Sequence, residues 1–123
     1  MNILVLETLL SLSSENEVVE FKEAKNNYDF TKLGKYFSAI SNEANLCGKP
    51  YGWLVFGVED KKHTVVGTNY RSNRTDLDKL KGEIASKTTN RITFIEIHEV
   101  IKGGGRVLMF QIPAAPRGIP VSF

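Results

Sequence analysis

Two carboxylates, Glu59 and Asp60, follow directly on the most apolar run of the chain, Tyr51 to Val58. A strand of that kind delivers acidic groups to its mouth, where the chain leaves the core. Further upstream, Glu20 and Lys22 alternate on one face of a short β-branched segment. Opposite charges two residues apart usually form a solvated edge pair. Six cations, Lys22, Lys61, Lys62, Arg71, Arg74 and Arg106, are candidates to contact phosphates. Contacts of that kind give salt-dependent affinity with little sequence selectivity. The rival reading makes them an ordinary solvated surface, which a formal net charge of +2 permits. Gly103 to Gly105, between Lys102 and Arg106, has the composition of a phosphate cradle, although a hairpin tip needs no ligand to explain it. Gly48-Lys49-Pro50 lacks the upstream glycine and the Ser or Thr of a phosphate loop and reads as a turn. His63 and His98 have no third ligand at metal-site spacing, and no serine sits in a nucleophile elbow.

The elements that position these residues follow from periodicity. Ile3, Leu6, Leu9 and Leu10 predict a helix over 2–12, and alternation predicts a strand over 18–22 with Val19 and Phe21 inward. Leu33, Tyr36, Phe37, Ile40 and Ala44 form one helical stripe over 31–45, capped by Asp29 or Thr31. Residues 51–60 are apolar on both alternating faces and predict a strand covered from two sides. Trp53, Val55 and Gly57 are expected on one face, with Leu54, Phe56 and Val58 on the other. Gly52 and Gly57 permit a close approach, most simply by a packed helix. A hairpin return is expected over 64–68. A second helix capped by Thr75 follows, reaching to 87, with Leu77, Leu80, Ile84 and Ala85 inward. Residues 92–101 and 107–112 then pair as strands about the glycine turn, with Ile95, Ile97 and Ile101 sharing a face. The apolar end, Ile119 to Phe123, is expected to require cover, which suggests a protein that continues beyond it.

Composition bounds the class. With 123 residues, 41% hydrophobic and 24% charged, the chain has the make-up of one soluble globular domain. No apolar run approaches the roughly 20 residues of a membrane span. The start lacks a basic leader and a cleavage pattern, so no secretory signal is read there. One cysteine, Cys47, allows no internal disulfide and fits a reducing cytoplasm.

Taken together, Glu20-Phe21-Lys22, Tyr36-Phe37-Ser38-Ala39-Ile40-Ser41-Asn42, Gly52 to Asp60 and Val66-Gly67 resemble the Schlafen-type AlbA domain over about 1–120. The segment 43–50 departs from the family as an insertion between the asparagine and the glycine strand. The resemblance implies an α+β fold, a central mixed or antiparallel sheet with packed helices in the order α-β-α-β-β-α-β-β. It also implies DNA or structured RNA as ligand and a tendency to pair as a homodimer. The wider setting it implies is the N-terminal module of a bacterial transcriptional-regulator-like protein. Nuclease-type Schlafen proteins use three acidic residues, whose motif positions correspond here to Glu15, Glu20 and Asp60.

Three functions follow for comparison. The first is a nucleic-acid-binding module using the six cations, not an enzyme. The second is an endoribonuclease in which Glu20 and Asp60, with Glu15, hold Mg2+ or Mn2+ to activate water. Lys22 would then neutralise a phosphate. The third is an oligomerisation or regulatory module for a C-terminal domain outside this chain.

Overall fold

The computed structural model describes residues 2–11 and 17–123. Three helices, α1 (Asn2–Leu10), α2 (Phe30–Leu46) and α3 (Arg74–Ala85), surround four strands, β1 (Val19–Lys22), β2 (Tyr51–Phe56), β3 (Glu96–Lys102) and β4 (Gly105–Pro113). The strands form one sheet in the order β1-β2-β4-β3. β1 runs parallel to β2, while β2–β4 and β3–β4 are antiparallel. This is the expected α+β fold with a mixed sheet, and its elements follow in the expected order.

β2 is internal and buried along almost its whole length. Leu54 and Phe56 join Leu33, Phe37 and Ile40 of α2 and Leu77, Leu80 and Ile84 of α3 in one apolar layer. Trp53 and Val55 join Leu6 and Leu9 of α1, Phe21 and Met109 in the layer on the opposite face. Full burial of side chains this size stabilises by about 1.5–3 kcal/mol each, so closing both layers on one strand dominates the fold. α2 starts at an Asp29 cap, whose carboxylate accepts the Lys32 amide at 3.0 Å.

Gly57 ends the β2 ladder earlier than the sequence pattern suggests. It takes φ +96°, a conformation open to glycine. Its amide reaches the Lys22 and Glu23 carbonyls at 2.8 and 3.1 Å, and its own carbonyl receives the Val66 and Gly67 amides. The reversal shifts the alternation by one, so Val58 packs with Trp53 and Val55 and not with Leu54 and Phe56. The expected hairpin return is reduced to the single bridge Val58–Val65. The two glycines are also approached differently. A Cβ on Gly52 would meet Ile40 Cγ2 of α2 at 2.5 Å, as expected for a packed helix, whereas one on Gly57 would meet the Arg106 carbonyl at 2.7 Å.

Other differences have local causes. Asn73, not Thr75, caps α3, its side-chain oxygen accepting the Thr75 amide at 2.8 Å. The strand expected from residue 92 starts at Glu96, four irregular residues after a 3₁₀ turn in which Asn90 and Arg91 take positive φ. Of the expected trio only Ile97 is buried, Ile95 and Ile101 lying 48% and 63% exposed. Tyr36, expected in the buried stripe of α2, is only half-buried. The apolar end of the chain is covered in part within the domain, Ile119 staying 48% exposed. Val121 is buried and exchanges two hydrogen bonds with the Asn42 side chain, while the Phe123 ring lies on Gly34 of α2.

Gly52→Ala should therefore cost about 1–3 kcal/mol through overpacking, seen as a lower urea midpoint with unchanged slope. Gly82→Ala, on an exposed face of α3 with nothing within 4 Å of the added methyl, should stabilise by up to about 1 kcal/mol. Equal midpoints for the two variants would disprove the seating of α2 on β2.

Candidate nucleic-acid interface

The parallel pair β1–β2 is joined through α2, so the C-terminal end of β1 faces the first turns of that helix. In open α/β arrangements ligands favour the crevice outside strand C-termini. Here Lys22, Tyr28, Lys32, Lys35, Tyr36 and Ala39 line a cleft of about 460 Å3. Lys22 ends β1, and Lys32, Tyr36 and Ala39 rise along α2 at three to four residue spacing, beside its buried stripe.

Lys22 is held in place by aromatic neighbours. Its Nζ lies 4.7 Å from the Tyr36 ring centroid, within cation–π range. Its pKa is raised above the usual lysine value, first through hydrogen bonding with Tyr36, against partial desolvation, with help from the charges of Tyr36, Tyr28 and Glu20. The Tyr28 ring leans on Phe56 at 4.8 Å, and burial raises its hydroxyl pKa. Among the described residues Lys22, Lys32 and Lys35 form no ion pair with a carboxylate. The cleft thus combines three unneutralised ammonium groups with two tyrosine rings.

A second cleft of about 460 Å3 continues along the same seam and shares Tyr36 and Ala39. Its lining includes Glu17, Glu20, Glu43 and Cys47. Tyr36 therefore divides a basic half from an acidic half.

The structure separates the cations expected from sequence. Lys22 lies in the basic cleft. Lys61 and Lys62 stand exposed in the turn after β2, where their amides cap the Glu59 carboxylate at 2.9 and 2.7 Å. Those two bonds lower the Glu59 pKa, so this carboxylate serves the turn. Arg71 grips Glu83 with two bonds of 2.7 and 2.9 Å. Arg74 bonds Asp78 at 3.0 Å, and its other nitrogen lies 3.7 Å from Glu96. Arg106 is 13% exposed and bonds Glu99 at 2.6 Å. It also donates to the Thr68, Tyr70 and Arg71 carbonyls at 3.2, 2.8 and 2.9 Å. The three arginines are engaged internally, and Arg106 in particular pins the loop 68–71 to β4.

The acidic candidates lie on different faces. Glu20, paired in register with Leu54, opens into the seam with α2. At about 3.3 Å per residue, that level is some 10 Å below Gly57. Asp60 stands exposed on the turn that His63 anchors to the other layer, its ring 4.4 Å from Phe21 and its Nδ1 3.3 Å from the Leu10 carbonyl. Among the described residues no group of three or more His, Cys, Asp or Glu is placed to hold a metal ion. Glu15 lies outside the described residues.

The sequence reading missed Lys32, Lys35, Tyr28 and Tyr36 as site residues. The available signal was the stripe Lys32, Lys35, Tyr36 and Ala39 on the polar side of α2.

A family model for Schlafen, AlbA_2 matches residues 15–121. The chain belongs to the Schlafen AlbA_2 family. Its fold is similar to that of the DIP2311 protein from Corynebacterium diphtheriae, with TM-score 0.64 and 22% identity over 97% of this chain. This AlbA_2 domain spans only 23% of that protein's chain. It is also similar to the N-terminal domain of a Nitrosomonas europaea protein named for its relation to the RecG ATP-dependent DNA helicase. There the TM-score is 0.60 and the identity 22%, covering 92% of this chain and 72% of the other. Comparison with curated proteins gives no match. Among the described residues no helix is long and apolar enough to cross a membrane.

The Arg71–Glu83 pair gives the AlbA_2 domain a pH signature. Hydrogen bonding from Arg71 lowers the folded pKa of Glu83, so the linked stability is present above the unfolded carboxylate value of about 4.3 and is lost as pH falls through the folded one. Because the Glu83 side chain is 42% exposed, screening limits the contribution to at most about 1 kcal/mol. Glu83→Gln should lower stability at neutral pH and flatten its fall from about pH 5 to pH 3. Urea titrations of both proteins across that range test this, and parallel curves would rule the linkage out.

Proposed function

We propose that this AlbA_2 domain binds nucleic acid through the basic cleft between β1 and the start of α2. The observation that carries the proposal is the placing of Lys22, Lys32 and Lys35 around the Tyr28 and Tyr36 rings, in one cleft of about 460 Å3. Unpaired ammonium groups attract a phosphate backbone, and half-exposed tyrosine rings offer faces on which bases stack, the combination found in single-strand grooves. The N-terminus of α2 adds a positive dipole end on the same side. Beyond Tyr36, Glu17, Glu20 and Glu43 would repel phosphate, so a bound strand ends or turns away there. The helicase-related name of the Nitrosomonas europaea neighbour fits a nucleic-acid setting.

Family resemblance supports the same reading and extends it to a regulator-like protein in which this module, paired with a second copy, brings nucleic acid to a further domain. Sedimentation of the domain alone tests the pairing.

Anisotropy titrations with labelled single-stranded DNA, duplex DNA and hairpin RNA test the main proposal. With three lysines engaged, log K against log salt should fall with a slope of about −2 on single strands. Lys32→Glu with Lys35→Glu should weaken binding about tenfold or more at about 50 mM salt, whereas Lys61→Ala with Lys62→Ala should leave it nearly unchanged. No salt-sensitive binding to any of the probes, or the reverse ranking of the two variants, refutes the assignment. Probe cleavage on adding magnesium or manganese, abolished by Glu20→Gln, would bring in the acidic half as a nuclease site.

A further inference from the structure

On the opposite face of the sheet, under one side of α1, Val5, Tyr51, Trp53, His98, Met109 and Gln111 line a cleft of about 190 Å3. Strand register builds it. Trp53 of β2 pairs with Gln111 of β4, and Met109 of β4 pairs with His98 of β3, which sets these side chains side by side on one face. The Tyr51 and Trp53 rings meet edge to face at 5.5 Å, and the His98 ring lies 5.7 Å from Trp53. Trp53 is 5% exposed, whereas Tyr51, His98 and Gln111 are half-buried and Val5 is exposed at the rim.

Size and chemistry narrow the ligand. An apolar cavity of about 150 Å3 holds benzene, so this cleft admits one heteroaromatic ring system with its exocyclic groups. The phosphates of a nucleotide would stay outside it. No Lys, Arg, Asp or Glu lines the cleft, so it holds no lysine, arginine or carboxylate to pair with a charged ligand. Its polar groups are an imidazole, an amide and a phenol. His98 Nε2 and Gln111 Oε1 are 3.2 Å apart, which occupies the amide oxygen. Among the described residues the Gln111 amide nitrogen and the Tyr51 hydroxyl have no hydrogen-bond partner. Aromatic walls with a free amide donor and a phenol suit a flat, uncharged, hydrogen-bonding ring.

We propose that this cleft is a nucleobase site, separate from the basic cleft and independent of its assignment. The base comes either from a free nucleoside or from a nucleotide of a bound strand, and the two sources are distinguishable.

Trp53 is the only tryptophan of the chain, so its indole N–H gives one cross-peak in a nitrogen–proton NMR spectrum and reports directly on the cleft. Adenosine, cytidine and uridine, and single-stranded oligonucleotides in parallel, are titrated against it. The expected result is a saturable shift of that cross-peak. A shift with free nucleosides identifies a free ligand, and a shift with oligonucleotides alone identifies a base presented by a strand. Gln111→Leu, which removes the amide donors, should weaken binding about tenfold. Val5→Phe, a rim change that leaves the buried Leu6 and Leu9 in place, should block it. Lys32→Glu with Lys35→Glu should leave nucleoside binding unchanged. The proposal is overturned by the absence of any shift up to about 1 mM, the weak limit of specific affinity. It is equally overturned by shifts insensitive to both cleft variants in folded protein, or by choline binding in place of every nucleobase.

Discussion

Strand β2 is covered on both faces, Leu54 and Phe56 by α2 and α3, Trp53 and Val55 by α1. A strand buried twice has no face left for polar chemistry, so charged groups can stand only at its ends or on neighbouring strands. The basic cleft uses the edge strand β1, where Glu20 and Lys22 can face the start of α2 at the margin of the layer. Gly52 and Gly57 serve the same constraint. The first lets Ile40 of α2 reach the strand, and the second turns the chain out of the sheet against the backbone of Arg106.

Arg106 shows why a cation's type and neighbours matter more than its position in the sequence. Its guanidinium binds three carbonyls of the loop 68–71 together with Glu99. The loop's backbone polarity is satisfied in a region that no regular ladder reaches. Leaving one buried polar group unpaired costs about 1–3 kcal/mol, so withdrawing Arg106 to bind a phosphate would destabilise several partners at once. A lysine has no planar fork and could not replace it. The lysines of α2 carry no such duty, which is the physical reason they are available and Arg106 is not.

Much of the fold was legible in the sequence because each long element repeats its own period. The stripe Leu33, Phe37, Ile40 and Ala44 and the two-sided run Trp53 to Phe56 are both seen as expected. What failed was set by single residues whose effect is non-local. The parity of Val58 depends on the positive φ of Gly57, and β3 starts only after the turn in which Asn90 and Arg91 take positive φ. The burial of Val121 depends on Asn42, a partner far away in the chain. The binding cleft was only half legible. Lys22 stood in a recognisable motif, but Lys32 and Lys35 look like any solvated face of an amphipathic helix until β1 is laid against them. Tyr36 was misplaced for a related reason. A large aromatic at helical spacing reads as core, while its position at the edge of the stripe leaves it half out, beneath Lys22.

Separation of the two sheet faces also governs the acidic residues. After Gly57 the chain crosses to the α1 side, where His63 packs on Phe21 and contacts the Leu10 carbonyl, so the turn holding Asp60 is fastened to that layer. Glu20 belongs to the α2 side by strand alternation. To share one ion, the two carboxylates would have to reach around the end of β1. Neighbouring strands lie only about 4.8 Å apart, yet the faces of a sheet are divided by the backbone itself, with Glu20 opening on the α2 side and the turn anchored on the other. The same division keeps the neutral cleft around Trp53 apart from the lysines of α2. A phosphate backbone held on one face therefore makes no contact with the other, and the two clefts share no lining residue.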